Sequence, residues 1–427
     1  MKKFVCSSLS ILLISMFLSQ NVLAYQPASH YVLMKETAKN LPENSIIRRS
    51  METYPGIATW GANAPDLPYF QPRQVLEYAP WADRYHYYKI GSLAKEMLQE
   101  ALLSQDMKKI AFAAGWVTHL TGDYGCHGIY VNPEAGVYLA DPSGRPLHKQ
   151  LESMAEPYLW VNMGGFSQSD YDDGIEDVFS SISDIPFDLL NSACINIFGI
   201  SEPTMEQQAS CAALMTGLKL GVKYKYTDYD ESIQFLSENN RKERLENSLA
   251  EGVKLATIML TDAENNTYTS FTNRWNLDVG RSEIPISSLT VLVHTGTEKR
   301  GFLDHEWAGT DDDVYFGIRL HDGTTKEWIL DKLGYNDFEI DDTDEYYLYN
   351  DANIHPDEIS SIYLRKTTSN DMIDNGDWFV EDMSIVINGY TVLNQQIKKW
   401  LDEDNDTFTS DVDFTGLNLE TNPDPIY

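Results

Sequence analysis

The sequence predicts a multi-domain fold in which an all-α domain is followed by an antiparallel β-sandwich. Apolar residues recur at three- and four-residue intervals from Pro27 to about Leu260, which is the helical period. From Ser288 onward short alternating runs rich in Val, Ile and Tyr take over, separated by Asp-Gly and Asn-Gly dipeptides, the pattern of hairpins. With 42% hydrophobic and 12% aromatic residues, the 427-residue chain can bury two or three cores.

Taken in order, residues 1–24 read as a signal peptide: Lys2 and Lys3, then "LSILLISMFL", then "VLA" before Tyr25. The apolar run is shorter than a membrane span. A mature protein beginning at Tyr25, secreted to the extracellular or periplasmic space, is expected. The helical domain covers 25–262, with periodic segments such as "HYVLMKETAKNL", "MKKIAFAAGWVTHL" and "RLENSLAEGVKLATIML". Within it, 163–188 is acidic and rich in Gly, Ser and Asp, and reads as a loop or cap with a short helix. Residues 263–286 lose periodicity and read as a linker. The runs "LTVLVHT", "DVYFGIRLH", "KEWILD", "SSIYLRK" and "SIVINGYTVL" place a sandwich at 287–408, with a tail at 409–427.

The formal charge is −33, and removal of Lys2 and Lys3 with the signal takes it to −35. Such a surface repels phosphate polyanions and anionic membranes, which disfavours nucleic-acid binding by a basic face. A small phosphate ester in a cleft is not, because salt screens charges beyond about 10 Å. Three cysteines remain after Tyr25. An oxidising compartment permits a Cys194–Cys211 disulfide and leaves Cys126 as a buried thiol.

The stretch "GWVTHLTGDYGCHGIYVNP", residues 115–133, places His119, Asp123 and His127 at intervals of four. That spacing stacks side chains on one helical face, while Gly122, Gly125 and Gly128 allow a bend. His148 and Glu152 form a second pair at the same spacing, Asp66 sits in the turn-rich "GANAPDLP", and His86 follows in "DRYHYY". Any one of these alone is better read as a hydrogen-bonded core residue. Two His–acid pairs with further histidines exceed what one metal ion needs, and mixed imidazole and carboxylate ligands suit zinc.

The ordered set of Tyr25, His30 five positions later, "GANAPD", His86, "HLTGD", His127 and "HKQLE" resembles the zinc-dependent phospholipase C family, which is related to the P1-type nucleases. The resemblance covers about 25–260. It implies three zinc ions: one at Asp66, His86, His119 and Asp123, a second at His127, His148 and Glu152, and a third at the α-amino group and carbonyl of Tyr25 with His30 and Asp123. Asp123 then bridges two ions. Zinc in such a set polarises phosphoryl oxygens and acidifies bound water, and Asp66 is either the general base or a ligand only. The interval from Asp123 to His127 is similar to that of the glycosylphosphatidylinositol-specific phospholipase D branch.

The run "AGTDDDVYFGIRLHDGTTKEWILDKLGYNDFEID" from Ala308, with "IYLRK", "ING" and "KKWL", resembles the lipid-binding PLAT/LH2 sandwich of the alpha-toxin type. Calcium is implied at Gly309, Thr310, Asp311, Asp331, Gly334, Asn336, Asp337 and Asp377, where acidic loops offer oxygen ligands. Trp307, Trp378 and Phe379 either enter a bilayer interface or belong to the core. Together the resemblances imply a secreted, monomeric zinc metallophospholipase C acting on phosphatidylcholine-like lipid in a phospholipid membrane, with a toxin-like or haemolytic use. The alternatives are a phospholipase D-like or P1-like phosphodiesterase, the latter acting on single-stranded nucleic acid, and a non-catalytic lipid-binding metalloprotein.

Overall fold

Prolines in the first turn start two of the helices that carry polar ligand-type residues and the helix that leads into Asp66, where a missing N–H costs nothing and the fixed φ suits the helix. In the computed structural model, described for residues 26–70, 80–138, 143–223, 229–280, 286, 288–299, 308–332, 335–348, 354–367 and 376–414, the chain divides into two units at Ser282 and Glu283. The first contains α1 (Pro27–Asn40), α2 (Ile46–Thr53), α3 (Pro55–Asn63), a 3-10 segment (Ala64–Phe70), α4 (Pro80–Tyr87), α5 (Ile90–Ser104) and α6 (Met107–Gly125). A π-helical segment (Cys126–Val131), α7 (Asn132–Ala135), α8 (Arg145–Asn162), α9 (Gln168–Gly174), α10 (Phe187–Phe198), α11 (Thr204–Lys223), α12 (Tyr229–Leu236) and α13 (Arg241–Glu264) follow.

Helix α6 is buried on nearly every side from Ile110 to Asp123, as a helix apolar all round must be. It packs against α2, α3, α5 and α13. Two glycines set its distance from α3: a Cβ at Gly61 would stand 2.0 Å from the Phe112 carbonyl oxygen, and one at Gly115 2.1 Å from that of Ala58. The backbones therefore touch, and this contact brings the Ala62 carbonyl within reach of His119. The segment 163–188 forms α9 and short 3-10 turns at Ile175–Val178 and Ile182–Asp184.

The linker reading of 263–286 is corrected over 263–280. Asn273, Asn276 and Asp278 are buried, the Ser92 N–H donates to Asn273 Oδ1 at 2.8 Å, and Asn132 Nδ2 donates to the carbonyls of Asp278 and Val279 at 2.7 and 3.0 Å. The segment lacks periodicity because side-chain amides satisfy its buried backbone in place of a ladder.

Cys194 and Cys211 are free, buried thiols, so the expected disulfide is not formed. Cys194 Sγ lies 3.8 Å from the Tyr85 hydroxyl, and burial pushes its thiol up to about 12. A chain beginning at Tyr25 is expected to show no fast-reacting thiol toward Ellman's reagent when native and three when denatured. A count of one after denaturation would contradict this.

The second unit holds two four-stranded antiparallel sheets, ordered β4-β1-β6-β7 and β3-β2-β5-β8. Its strands are β1 (Leu289–Thr295), β2 (Val314–Leu320), β3 (Thr325–Ile329), β4 (Thr343–Leu348), β5 (Ile359–Lys366), β6 (Trp378–Ile387), β7 (Tyr390–Leu401) and β8 (Thr407–Asp411). Asn388 and Gly389, with φ of 49° and 86°, turn β6 into β7, as a two-residue primed hairpin requires. Val291, Val293, Phe316, Ile362, Leu364 and Met383 fill the core between the sheets.

Candidate metal centre

Four elements bring the five residues of the first group together. His30 comes from α1, Asp66 from the 3-10 segment, His86 from α4, and His119 and Asp123 from successive turns of α6; all are buried. His86 Nε2 lies 3.1 Å from Asp66 Oδ1 and 3.6 Å from Asp123 Oδ2, and His119 Nε2 lies 3.3 Å from Asp123 Oδ2. His30 Nε2 stands 3.6 Å from Asp66 Oδ2 and 3.5 Å from Asp123 Oδ1. Tyr25, the remaining member of the implied third zinc set, lies outside the described residues, as does the signal peptide.

The outer nitrogens reveal what the centre lacks. His86 Nδ1 donates to the Ala82 carbonyl at 2.7 Å and His119 Nδ1 to that of Ala62 at 3.0 Å. With Nδ1 protonated, each neutral ring presents a bare Nε2 lone pair, yet the two Nε2 atoms face one another at 3.2 Å, with carboxylates beside them. Such an arrangement is stable only around positive charge. The electrostatics agree: burial lowers His86, but the hydrogen bond and charge of Asp66 outweigh it and raise it to about 9. Burial would raise Asp66, but His119 and the hydrogen bonds of His30 and His86 hold it well below the usual carboxylate range.

A second group repeats the motif. His127 sits on the π-helical segment, which re-aims it away from the His119–Asp123 face; His148 and Glu152 occupy one face of α8. A π-bulge of this kind changes a side chain's direction without breaking the helix. His127 Nδ1 donates to the Leu277 carbonyl at 2.5 Å, and its Nε2 faces His148 Nε2 at 3.3 Å. Glu152 Oε1 lies 3.0 Å from His148 Nε2 and 3.7 Å from His127 Nε2, and burial pushes its carboxyl up to about 8. Imidazole and carboxylate donors in this mixture fit zinc.

Two residues escaped sequence reasoning. Asp278 joins His127 and His148, with Oδ1 4.0 Å from His127 Nε2; nothing near it in "NLDVG" signals a ligand. Glu156 accepts from the Ala28 and Ser29 N–H groups at 3.0 and 2.8 Å and from Ser29 Oγ at 2.5 Å. It thus ties α8 to the start of α1 beside His30, and burial pushes it up to about 7. Its interval of four from Glu152 was the available signal.

Gly280 locks Asp278's segment in place. Its φ is +68°, and a Cβ there would lie 2.3 Å from the Gly128 backbone nitrogen. Gly280→Ala is expected to cost more than about 1 kcal/mol, seen as a lower midpoint of thermal unfolding; an unchanged midpoint would show that the contact relaxes freely.

The sandwich treats its implied ligands differently. Trp378 and Phe379 do not face a bilayer: Trp378 is fully buried, donates from Nε1 to Thr295 Oγ1 at 2.9 Å and packs on Phe338, while Phe379 packs on Trp400. The membrane reading of both is corrected: β6 turns Trp378 into the core between the sheets, and Phe379, on the opposite face of the strand, is covered by Trp400. Asp337 is engaged by the Tyr346 hydroxyl at 2.7 Å and the Lys332 N–H at 3.2 Å, and the Asn336 amide donates to Glu339. Thr310 Oγ1 donates to the Gly376 carbonyl at 2.8 Å, beside buried Asp377, while Asp311 and Asp331 are exposed. Gly334 and Trp307 lie outside the described residues. Among the described residues, groups of three or more converging histidines, cysteines or acids occur only in the helical unit.

Comparison with known proteins gives this geometry its relatives. Residues 29–183 match the family described as zinc dependent phospholipase C, and residues 289–415 match the PLAT/LH2 domain. The chain joins a zinc-dependent phospholipase C domain to a PLAT/LH2 domain. A phospholipase C of Clostridium perfringens is 35% identical over 117 residues, 27% of each chain, and one of Clostridium novyi is 35% identical over 134 residues, 30% of this chain and 31% of that one. The matches thus span about a quarter to a third of these relatives' lengths. Alpha-toxin from an avian strain of Clostridium perfringens aligns over 91% of this chain and 99% of its own at 18% identity, with a TM-score of 0.30. The match over 29–183 ends before Asp278, and includes His30, Asp66, His86, His119, Asp123, His127, His148 and Glu152.

Proposed function

We propose that the protein is a zinc-dependent phospholipase C that hydrolyses the phosphodiester of phosphatidylcholine-like lipids to diacylglycerol and a phosphorylated head group. The observation that carries this reading is the meeting of paired histidine Nε2 atoms with buried carboxylates in two groups, within a zinc-dependent phospholipase C domain. Zinc, when bound, supplies Lewis-acid activation of the phosphoryl group and of the attacking water.

The chain's own part is to fix donors and field. The Ala62, Ala82 and Leu277 carbonyls hold His119, His86 and His127 with Nε2 turned inward, so little reorganisation remains for the reaction. Asp66, kept ionised, suits a ligand role, with general-base action toward water as the alternative. Asp123 reaches toward both His30 and His119, consistent with a bridging role, and a third zinc at Tyr25, His30 and Asp123 belongs to this proposal.

Lipid is favoured over nucleic acid by the PLAT/LH2 domain, by the charge of −33, and by apolar side chains exposed from the end of α10 to the start of α11. There Ile195, Ile200 and Met205 are 53%, 51% and 78% exposed. Tyr88, two residues after His86, stacks on Phe198 in the same stretch. Calcium at the Gly309–Asp311 and Asp377 end of the sandwich, export through residues 1–24, a monomeric state and a haemolytic use complete the proposal. No helix among the described residues is long and apolar enough to cross a membrane.

Product analysis on phosphatidylcholine vesicles tests the reaction. Diacylglycerol and phosphocholine are expected. Phosphatidic acid would move the chemistry to a phospholipase D type, nucleotides released from single-stranded nucleic acid would move it to a nuclease, and no product from either would leave a binding protein.

A further inference from the structure

The second group, as read from the sequence, offers three ligands: His127, His148 and Glu152. A fourth carboxylate stands beside them. Asp278 is 1% exposed, and neither of its carboxylate oxygens accepts a hydrogen bond. A buried carboxylate without a partner is costly and is retained where a cation meets it. Oδ1 points at His127 Nε2 from 4.0 Å, and ligand atoms of Asp278, His127 and His148 all lie within 4.8 Å of one another.

The backbone around Asp278 is held as firmly as a designed ligand's would be. Asn276 Oδ1 accepts from the N–H groups of Asp278 and Val279 at 3.0 and 3.2 Å, and Asn132 Nδ2 donates to both of their carbonyls. The intervening Leu277 touches both groups at once: its N–H donates to the His86 carbonyl at 3.1 Å, and its carbonyl accepts from His127 Nδ1. One short segment therefore orients a histidine of the second group, braces one of the first, and presents a bare carboxylate.

We infer that Asp278 is a fourth protein ligand of the second zinc ion, and that this ion clasps the segment after α13 onto the body of the helical domain. The inference rests on the reading that both groups hold zinc. A four-donor set of two imidazoles and two carboxylates satisfies the coordination number that zinc prefers. It also makes the docking of 276–280 depend on metal, since the segment contributes a ligand that α13 and the preceding helices cannot supply.

The test uses the full mature chain with zinc alone as probe. After dialysis against a competing chelator, zinc per chain is measured by inductively coupled plasma mass spectrometry for wild type, Asp278→Asn, His148→Ala and the double variant. The expected result is that each single variant retains one zinc fewer than wild type and that the double variant loses no more, with zinc affinity at this site down at least about tenfold in Asp278→Asn. Hydrogen exchange of wild type provides an independent readout that needs no variant to fold: amides of Leu277–Gly280 are expected to gain protection on zinc loading. If His148→Ala loses an ion while Asp278→Asn keeps all of them, or if zinc leaves exchange at Leu277–Gly280 unchanged, the ligand role of Asp278 is overturned and the zinc reading stands. If both variants keep all their zinc, the reading of the second group itself fails.

Discussion

Asp123→Asn is expected to lower kcat/KM on phosphatidylcholine vesicles by about a thousandfold or more. Asp123 is buried among three histidines, with Oδ2 at 3.3 Å from His119 Nε2 and 3.6 Å from His86 Nε2, and Oδ1 at 3.5 Å from His30 Nε2. Asparagine keeps the shape but replaces one acceptor oxygen by a donor and removes the negative charge on which the proposed bridge between two ions depends. Several kcal/mol of transition-state stabilisation come from metal-supplied charge, and each tenfold in rate is about 1.4 kcal/mol, so loss or displacement of an ion accounts for this scale. Zinc content should fall in parallel. A variant with a full complement of zinc and near-normal turnover would contradict the bridging role.

Asp312→Ala is expected to destabilise the sandwich by about 3–5 kcal/mol. Lys366, on β5, is fully buried, and its ammonium donates to Asp312 Oδ2 at 2.5 Å, with that carboxylate side chain 4% exposed. Removing the acid leaves an uncompensated charge inside the domain, whereas replacing both residues with apolar ones, Asp312→Leu with Lys366→Met, should cost far less. Chemical denaturation followed by a probe in the second unit checks both. An equal loss in the single and double variants would assign the effect to packing rather than charge. This pair also shows that the acidic run from Gly309 is partly neutralised from within.

What could be read in the sequence was local. Strand β1 coincides with "LTVLVHT", and the β6–β7 turn with "NG", because alternation and turn chemistry are properties of neighbouring residues. His119 with Asp123, and His148 with Glu152, were legible for the same reason: helical spacing alone puts each pair on one face. What failed needed the third dimension. Asp278 meets His127 across 151 positions of sequence, through a segment whose polar, aperiodic composition resembles a linker. The assignment of His127 to a separate group depends on a single π-helical turn, which glycines at 125 and 128 permit without dictating. Trp378 and Phe379 could face lipid or core until the pairing of β6 with β1 and β7 put Trp378 between the sheets and Trp400 over Phe379 on the other face. The cysteines at 194 and 211 are both buried, but composition cannot say whether their Cβ atoms meet.

The most direct test of the central claim is the rate of phosphatidylcholine hydrolysis measured against zinc occupancy. Chelator-stripped protein is titrated with zinc while phosphocholine release and bound metal are followed together. Hydrolysis should be absent in the stripped protein and should rise with the filling of the buried histidine–carboxylate groups. Stripped protein that hydrolyses the lipid at the full rate would contradict the assignment of these groups as the reaction centre.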